Sequence, residues 1–401
     1  MKRKRRLVQG GFLALVLVGV FAFEANCERW CPFGGVEALY TYISEGNLVC
    51  SLGTSNFFIL GGVLVTTLLV RRAFCGYMCP IGTISEWMHR LGRRLHLPAY
   101  NVPAKFDGLL SLLKYVVLGI ILVATWRMGE LIFRGYDPCY ALIGRHGEDI
   151  TYWAYVVSGG IVVASLLISV PFCRWLCPLA AVLNPFSRFA LGRIHRHDDD
   201  CRHCGVCTKR CPMAIPVDTV EQVTHARCIS CLGCVDACPV GTKQRAALSW
   251  GMPQPIRQRW APTVLLGVLL LCTSGAVAAS YLFPLPSFVK SRGTPPDTIA
   301  QAEMIIEDLT CRGRANLLVY FLERDDLFAL PGYVRLEAWP SPGSARVRIG
   351  YDPSQTNELA IKQAITEPYY DSLTEFWRNS PFVIEGYDPL GLDGDLLLDL
   401  P

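Results

Sequence analysis

Five stretches of the 401-residue chain are apolar on every helical face: roughly residues 7–25, 55–70, 109–126, 150–170 and 261–283. Each is near the ~20 residues a helix needs to cross a ~30 Å hydrocarbon core, the second being the shortest. Between them the pattern changes. Residues 81–97 set Arg90, Arg93 and Arg94 against Ile81, Ile84, Trp87 and Leu91 at helical spacing. That is a basic amphipathic helix, expected to lie along headgroups. Beyond Pro284 the period shortens, predicting strand 302–309, helix 312–324, strands 332–339 and 345–351, helix 356–366 and a strand near 382–387. Pro340-Ser-Pro342-Gly343 marks the turn between the middle strands. The expected architecture is an α-helical membrane protein of about five transmembrane helices with a C-terminal α+β unit in βαββαβ order. Domain boundaries are expected at 1–190, 191–250, 251–290 and 291–401.

Charge orients the spans. Lys and Arg number five in residues 1–6, one in 26–54, six in 71–108, three in 127–149 and twelve in 171–259. By the positive-inside rule the N-terminus, the second loop and residues 171–259 face the cytoplasm. Five crossings then leave residues 284–401 outside, with ten Lys/Arg against eighteen Asp/Glu. The net charge of +4 is therefore a topological bias, and no nucleic-acid partner is expected. Phe23-Glu24-Ala25-Asn26-Cys27 lacks the small residues of a cleavage site, so the first span reads as an uncleaved anchor in the inner membrane.

Eighteen cysteines change the picture. Cys201-x2-Cys204-x2-Cys207-x3-Cys211-Pro is followed by Cys228-x2-Cys231-x2-Cys234-x3-Cys238-Pro, the spacing of bacterial ferredoxins carrying two [4Fe–4S] clusters. Three thiolates on a tight loop reach three irons of one cube, and the fourth crosses to the other. Cys201, Cys204, Cys207 and Cys238 are thus assigned to one cluster, and Cys228, Cys231, Cys234 and Cys211 to the second. Two zinc sites are the alternative for the same thiolates. His203, inside the first loop, reads as a surface or supporting residue rather than a ligand.

Three further pairs share a C-x3-C-P pattern: Cys27/Cys31, Cys75/Cys79 and Cys173/Cys177. With Cys50 and Cys139 they suggest a duplicated hairpin of Cys, apolar span and CxxxCP. The topology sorts Cys75, Cys79, Cys173 and Cys177 to the inner face and Cys27, Cys31, Cys50 and Cys139 to the outer. Each quartet is sufficient for one more iron–sulfur or other metal centre. Disulfides are the alternative outside, and reduced structural thiols inside. Cys272 lies alone within the last span and reads as core. The predicted spans hold no histidine and the chain no Cys-x-x-Cys-His, so neither b-type nor c-type haem is expected.

CxxxCP motifs after apolar spans, joined to a tandem ferredoxin, resemble the NapH/NosR/CcoG group of membrane-bound ferredoxins over roughly residues 1–250. The resemblance implies electron transfer between a cytoplasmic or quinol donor and an exterior acceptor, with redox proteins and quinone as candidate partners beside membrane lipid. The chain would carry electrons rather than act as a stand-alone enzyme. A cupric reductase or metalloenzyme assembly factor is the alternative. Residues 302–388 resemble a heavy-metal-associated domain through Leu309-Thr310-Cys311 and Tyr351-Asp352-Pro353. Arg314 stands where that family has its second cysteine, leaving Cys311 as a candidate reactive thiol at a helix start beside Arg312 and Arg314.

Overall fold

A computed structural model describes residues 2–23, 31–45, 55–100, 102–128, 135–144, 151–240, 247–252, 260–292, 298–310, 312–324, 329–340, 343–371 and 376–388. The chain divides into two compact units, one of residues 1–37 and 55–282 and the other of residues 38–54 and 283–401.

In the first unit all five apolar stretches are helical. Three are long enough to cross a membrane, Arg3–Ala22, Ala104–Arg127 and Pro262–Leu282. The other two, Ser55–Val70 and Tyr152–Leu167, have 16 residues each. At ~1.5 Å per residue they reach only ~24 Å, short of the hydrocarbon thickness. Pro262–Leu282 packs along Ser55–Val70, where Gly62 lets the backbone of Cys272 approach. Cys272 is half-buried there, with a free thiol.

Each CxxxCP proline starts a helix. Helices begin at Pro32, Pro80 and Pro178, with Cys79 and Cys177 as the N-caps of the latter two. Proline suits this position because its fixed φ is already helical and the missing N–H has no partner there anyway. The amphipathic segment forms the helix Pro80–Arg94 and packs along Tyr152–Leu167. Ser85 Oγ meets Ser165 Oγ at 2.7 Å, and Glu86 pairs with both Arg5 and Arg90 at 2.5 Å. Arg93, Arg94, Trp87 and Leu91 of the same helix stay exposed.

The ferredoxin segment is closed by an antiparallel ladder between Arg193–Arg196 and Leu248–Gly251. In the second unit, an antiparallel sheet orders the strands Phe288–Ser291, Tyr333–Trp339, Ser344–Tyr351 and Ala300–Glu307. The helices Arg312–Leu322 and Glu358–Thr366 contribute to its core, around Phe321, Leu336, Ile349 and Ile361. The predicted final strand is reduced to one bridge, Ile306 to Ile384, while Phe288–Ser291 adds an edge strand that the sequence pattern does not reveal.

Candidate iron–sulfur centres

The two cysteine runs fold alike. His203 and Gly205 flank Cys204 with φ of 48° and 67°, and Ser230 and Leu232 flank Cys231 with φ of 45° and 54°. Left-handed residues alternating along a short loop curl successive peptide N–H groups toward one side, a concavity suited to an anion. A short helix follows each loop, Val206–Lys209 and Gly233–Ala237.

These loops line two cavities. One, of about 360 Å³, is bordered by Cys201, Cys204, Cys207 and Cys238. The other, of about 330 Å³, is bordered by Cys228, Cys231, Cys234 and Cys211. Each cavity thus takes three thiols from one run and the fourth from the other. Burial pushes the Cys211 thiol up to about 12, with Cys231 and Cys228 adding to the rise. A thiol raised in this way needs a strong Lewis acid to deprotonate it, which iron supplies. The residues present therefore fit two tetrathiolate clusters. His203 is mostly exposed and reaches toward Asp198.

The four thiols that the sequence assigns to the inner face also come together. Burial raises the Cys173 thiol, and Cys79, Cys177 and Cys75 each raise it further. Cys79 is pushed up to about 12 by burial, then by Cys75 and Cys177. Gly82 makes room for the cluster of thiols, since a β-carbon there would lie 2.8 Å from Cys75 O and 3.9 Å from Cys173 Sγ. The motif repeat of the sequence thus brings the thiols of two hairpins into one neighbourhood. It abuts the second ferredoxin cavity, because Gly76 packs against Ile229 O, between Cys228 and Cys231.

Of the outer set, Cys27 and Cys50 lie outside the described residues, as does Cys311. Cys31 and Cys139 pack against the same apolar core as Cys79 and Cys177. Asp137 accepts from Cys139 N at 2.9 Å as the N-cap of Pro138–Ile143, and burial raises its carboxyl to about 6. That carboxylate acts on both Cys31 and Cys177. The charge of one carboxylate thus reaches thiols the sequence assigns to opposite faces.

Sequence reasoning missed the charges around these thiols. Arg71, Arg72, Lys114, Arg174 and Arg227 are buried, with one buried carboxylate among them, Asp107. Asp107 Oδ1 takes Arg174 at 2.5 Å and Trp175 Nε1 at 2.8 Å, and Oδ2 takes Arg227 at 2.5 Å. Lys114 Nζ is 3.4 Å from Arg174 O. Among the described residues four of these positive charges are left in excess, and each buried charge without a counter-ion costs several kcal/mol. Two tetrathiolate clusters at ~−2 each would balance them. The readable signal was Lys114, a cation within a predicted span.

Residues 52–98 and 150–197 match the 4Fe-4S binding domain family, and residues 193–239 match the 4Fe-4S dicluster domain family. Among curated proteins, the chain is 30% identical to YccM of Escherichia coli (strain K12), named as an electron transport protein, over 71% of this chain and 81% of that protein. It is 26% identical to the ferredoxin-type protein NapH of Escherichia coli (strain K12), over 58% of this chain and 85% of that protein. It is 28% identical to the regulatory protein NosR of Pseudomonas aeruginosa, over 45% of this chain and 27% of that protein. No solved structure matches.

Proposed function

The chain belongs to the NapH/NosR-type family of membrane-bound 4Fe-4S ferredoxins, and from that premise we propose that it relays electrons through three clusters in series. Cys201, Cys204, Cys207 and Cys238 would hold the first, Cys228, Cys231, Cys234 and Cys211 the second, and Cys75, Cys79, Cys173 and Cys177 the third. Bound there, the clusters supply one-electron carriage without proton chemistry.

The protein's own contribution is position and charge. The crossed fourth thiols keep the two ferredoxin cavities adjacent, and the contact of Gly76 with Ile229 brings the second cavity against the membrane-face thiols. The buried cations offset the negative charge that thiolates and electrons bring. The observation that carries this reading is the excess of buried positive charge around the second ferredoxin cavity and the CxxxCP thiols.

In the orientation read from the Lys/Arg distribution, five apolar helices cross the inner membrane, the two of 16 residues by thinning the bilayer around them, the ferredoxin module faces the cytoplasm and residues 284–401 lie outside. Electrons would then pass between a cytoplasmic or quinol donor and an exterior acceptor. The strand order and the Ile306–Ile384 bridge support a split-βαβ, ferredoxin-like fold for the exterior unit, serving to dock a redox partner.

Anaerobic purification with iron and sulfide quantitation and redox-titrated EPR tests the reading. Three clusters require about twelve irons and twelve sulfides per chain, and the ferredoxin pair alone about eight. Zinc without inorganic sulfide would end it.

A further inference from the structure

Two successive arginines lie between the membrane-face thiols and the second ferredoxin cavity. Arg71 and Arg72 are 1% and 0% exposed, and their side chains diverge. Arg71 Nη1 donates to His225 O at 2.7 Å, and the guanidinium lies beside the Cys228 thiol. Arg72 Nη1 donates to Asn184 Oδ1 at 2.9 Å, and its charge acts on the Cys173 and Cys177 thiols.

The backbone enforces the divergence. Arg71 follows the helix Ser55–Val70 with φ of 61°, a left-handed conformation that a β-carbon disfavours. Strain of this kind persists only where surrounding structure holds it, and it concentrates at functional sites. In both guanidinium groups Nε and Nη2 are buried without a hydrogen-bond partner. Such donors are costly to leave unsatisfied, and an anion beside them would satisfy them.

We propose that Arg71 and Arg72 are hydrogen-bond donors to two different clusters, Arg71 to the one held by Cys228, Cys231, Cys234 and Cys211, and Arg72 to the one held by Cys75, Cys79, Cys173 and Cys177, and that they raise both reduction potentials. The Arg72 half rests on the three-cluster reading above. An added electron is added negative charge, so a fixed cation in a low-dielectric site stabilises the reduced form more than the oxidised form. Arginine suits the task because burial does not strip its charge.

Potentiometric EPR of the full-length protein, purified without oxygen, tests this with R71Q, R72Q and R72K. R72Q lowers the midpoint of the membrane-face cluster and leaves the ferredoxin pair in place. R71Q lowers one ferredoxin cluster, and R72K, which keeps the charge but loses the fork of donors, gives a smaller shift than R72Q. About twelve irons per chain with unshifted midpoints in both Gln variants overturns the proposal while leaving the three-cluster reading intact. About eight irons in the wild type overturns that reading and the Arg72 half with it, and the R71Q midpoint then decides the Arg71 half. Where a Gln variant loses its cluster, wild-type protein labelled with 15N-arginine decides: ENDOR of the reduced clusters shows guanidinium nitrogen coupling, and its absence overturns the assignment.

Discussion

Asp107 Oδ2 lies 2.5 Å from Arg227 Nη1, joining the start of the helix Ala104–Leu110 to the residue before Cys228. Through Oδ1 the same carboxylate holds Arg174, the residue after Cys173. One side chain thus clasps two cysteine loops, those of Cys228 and Cys173.

Replacing Asp107 by Asn leaves two buried guanidinium groups facing a neutral amide. A loss of about 3–5 kcal/mol is expected, as for other buried pairs broken at one partner. Denaturant unfolding in detergent, followed by cluster absorbance, measures it. Dipolar broadening between reduced clusters in EPR should weaken as the loops separate, an effect that uniform destabilisation would not produce.

Gly76 is expected to tolerate no side chain. A β-carbon there would sit 2.7 Å from Ile229 O, a backbone atom that cannot swing aside. G76A should therefore push the ferredoxin loop from the membrane-face thiols and slow electron transfer between them. Hydrogen exchange of residues 228–234 reports the loosening, and unchanged protection would count against close packing as the function of this glycine.

The crossed thiols predict crossed phenotypes. C211A should damage the cluster that otherwise depends on Cys228, Cys231 and Cys234, and C238A the one that depends on Cys201, Cys204 and Cys207. EPR of each variant beside C204A and C231A pairs the signals. Matching of C211A with C204A instead would refute the assignment.

Glu86 adds a pH-dependent contribution. Burial works to raise its carboxyl, but Arg5, Arg90 and a hydrogen bond from Gln9 outweigh it and hold it below the usual carboxylate range. A carboxyl depressed on folding stabilises above its unfolded pKa and loses that contribution as pH falls through the folded one. The stability gap between wild type and E86Q should be full near pH ~7 and shrink below pH ~4.5. Melting curves at both values check it, and a gap independent of pH would mean the pair is not formed.

Much of this molecule was legible in its sequence, because cysteine spacing and apolar length are local properties. The proline-started helices and the helical character of all five apolar stretches follow from them. The buried charge network was not legible. Arg71, Arg72, Arg174 and Arg227 counted as cytoplasmic loop cations in the positive-inside argument, and only tertiary packing removes them from water. Asp107 looked like a residue flanking a span. The edge strand Phe288–Ser291 was hidden because four residues carry too little alternation to separate a strand from a linker.

The exchange of fourth thiols between the ferredoxin runs has a consequence for biosynthesis. The second cavity gains its full set of sulfurs once Cys234 is made, because it carries Cys211 from upstream, whereas the first run waits for Cys238. Under that assignment a nascent chain that ends between the runs offers iron no complete quartet of either kind.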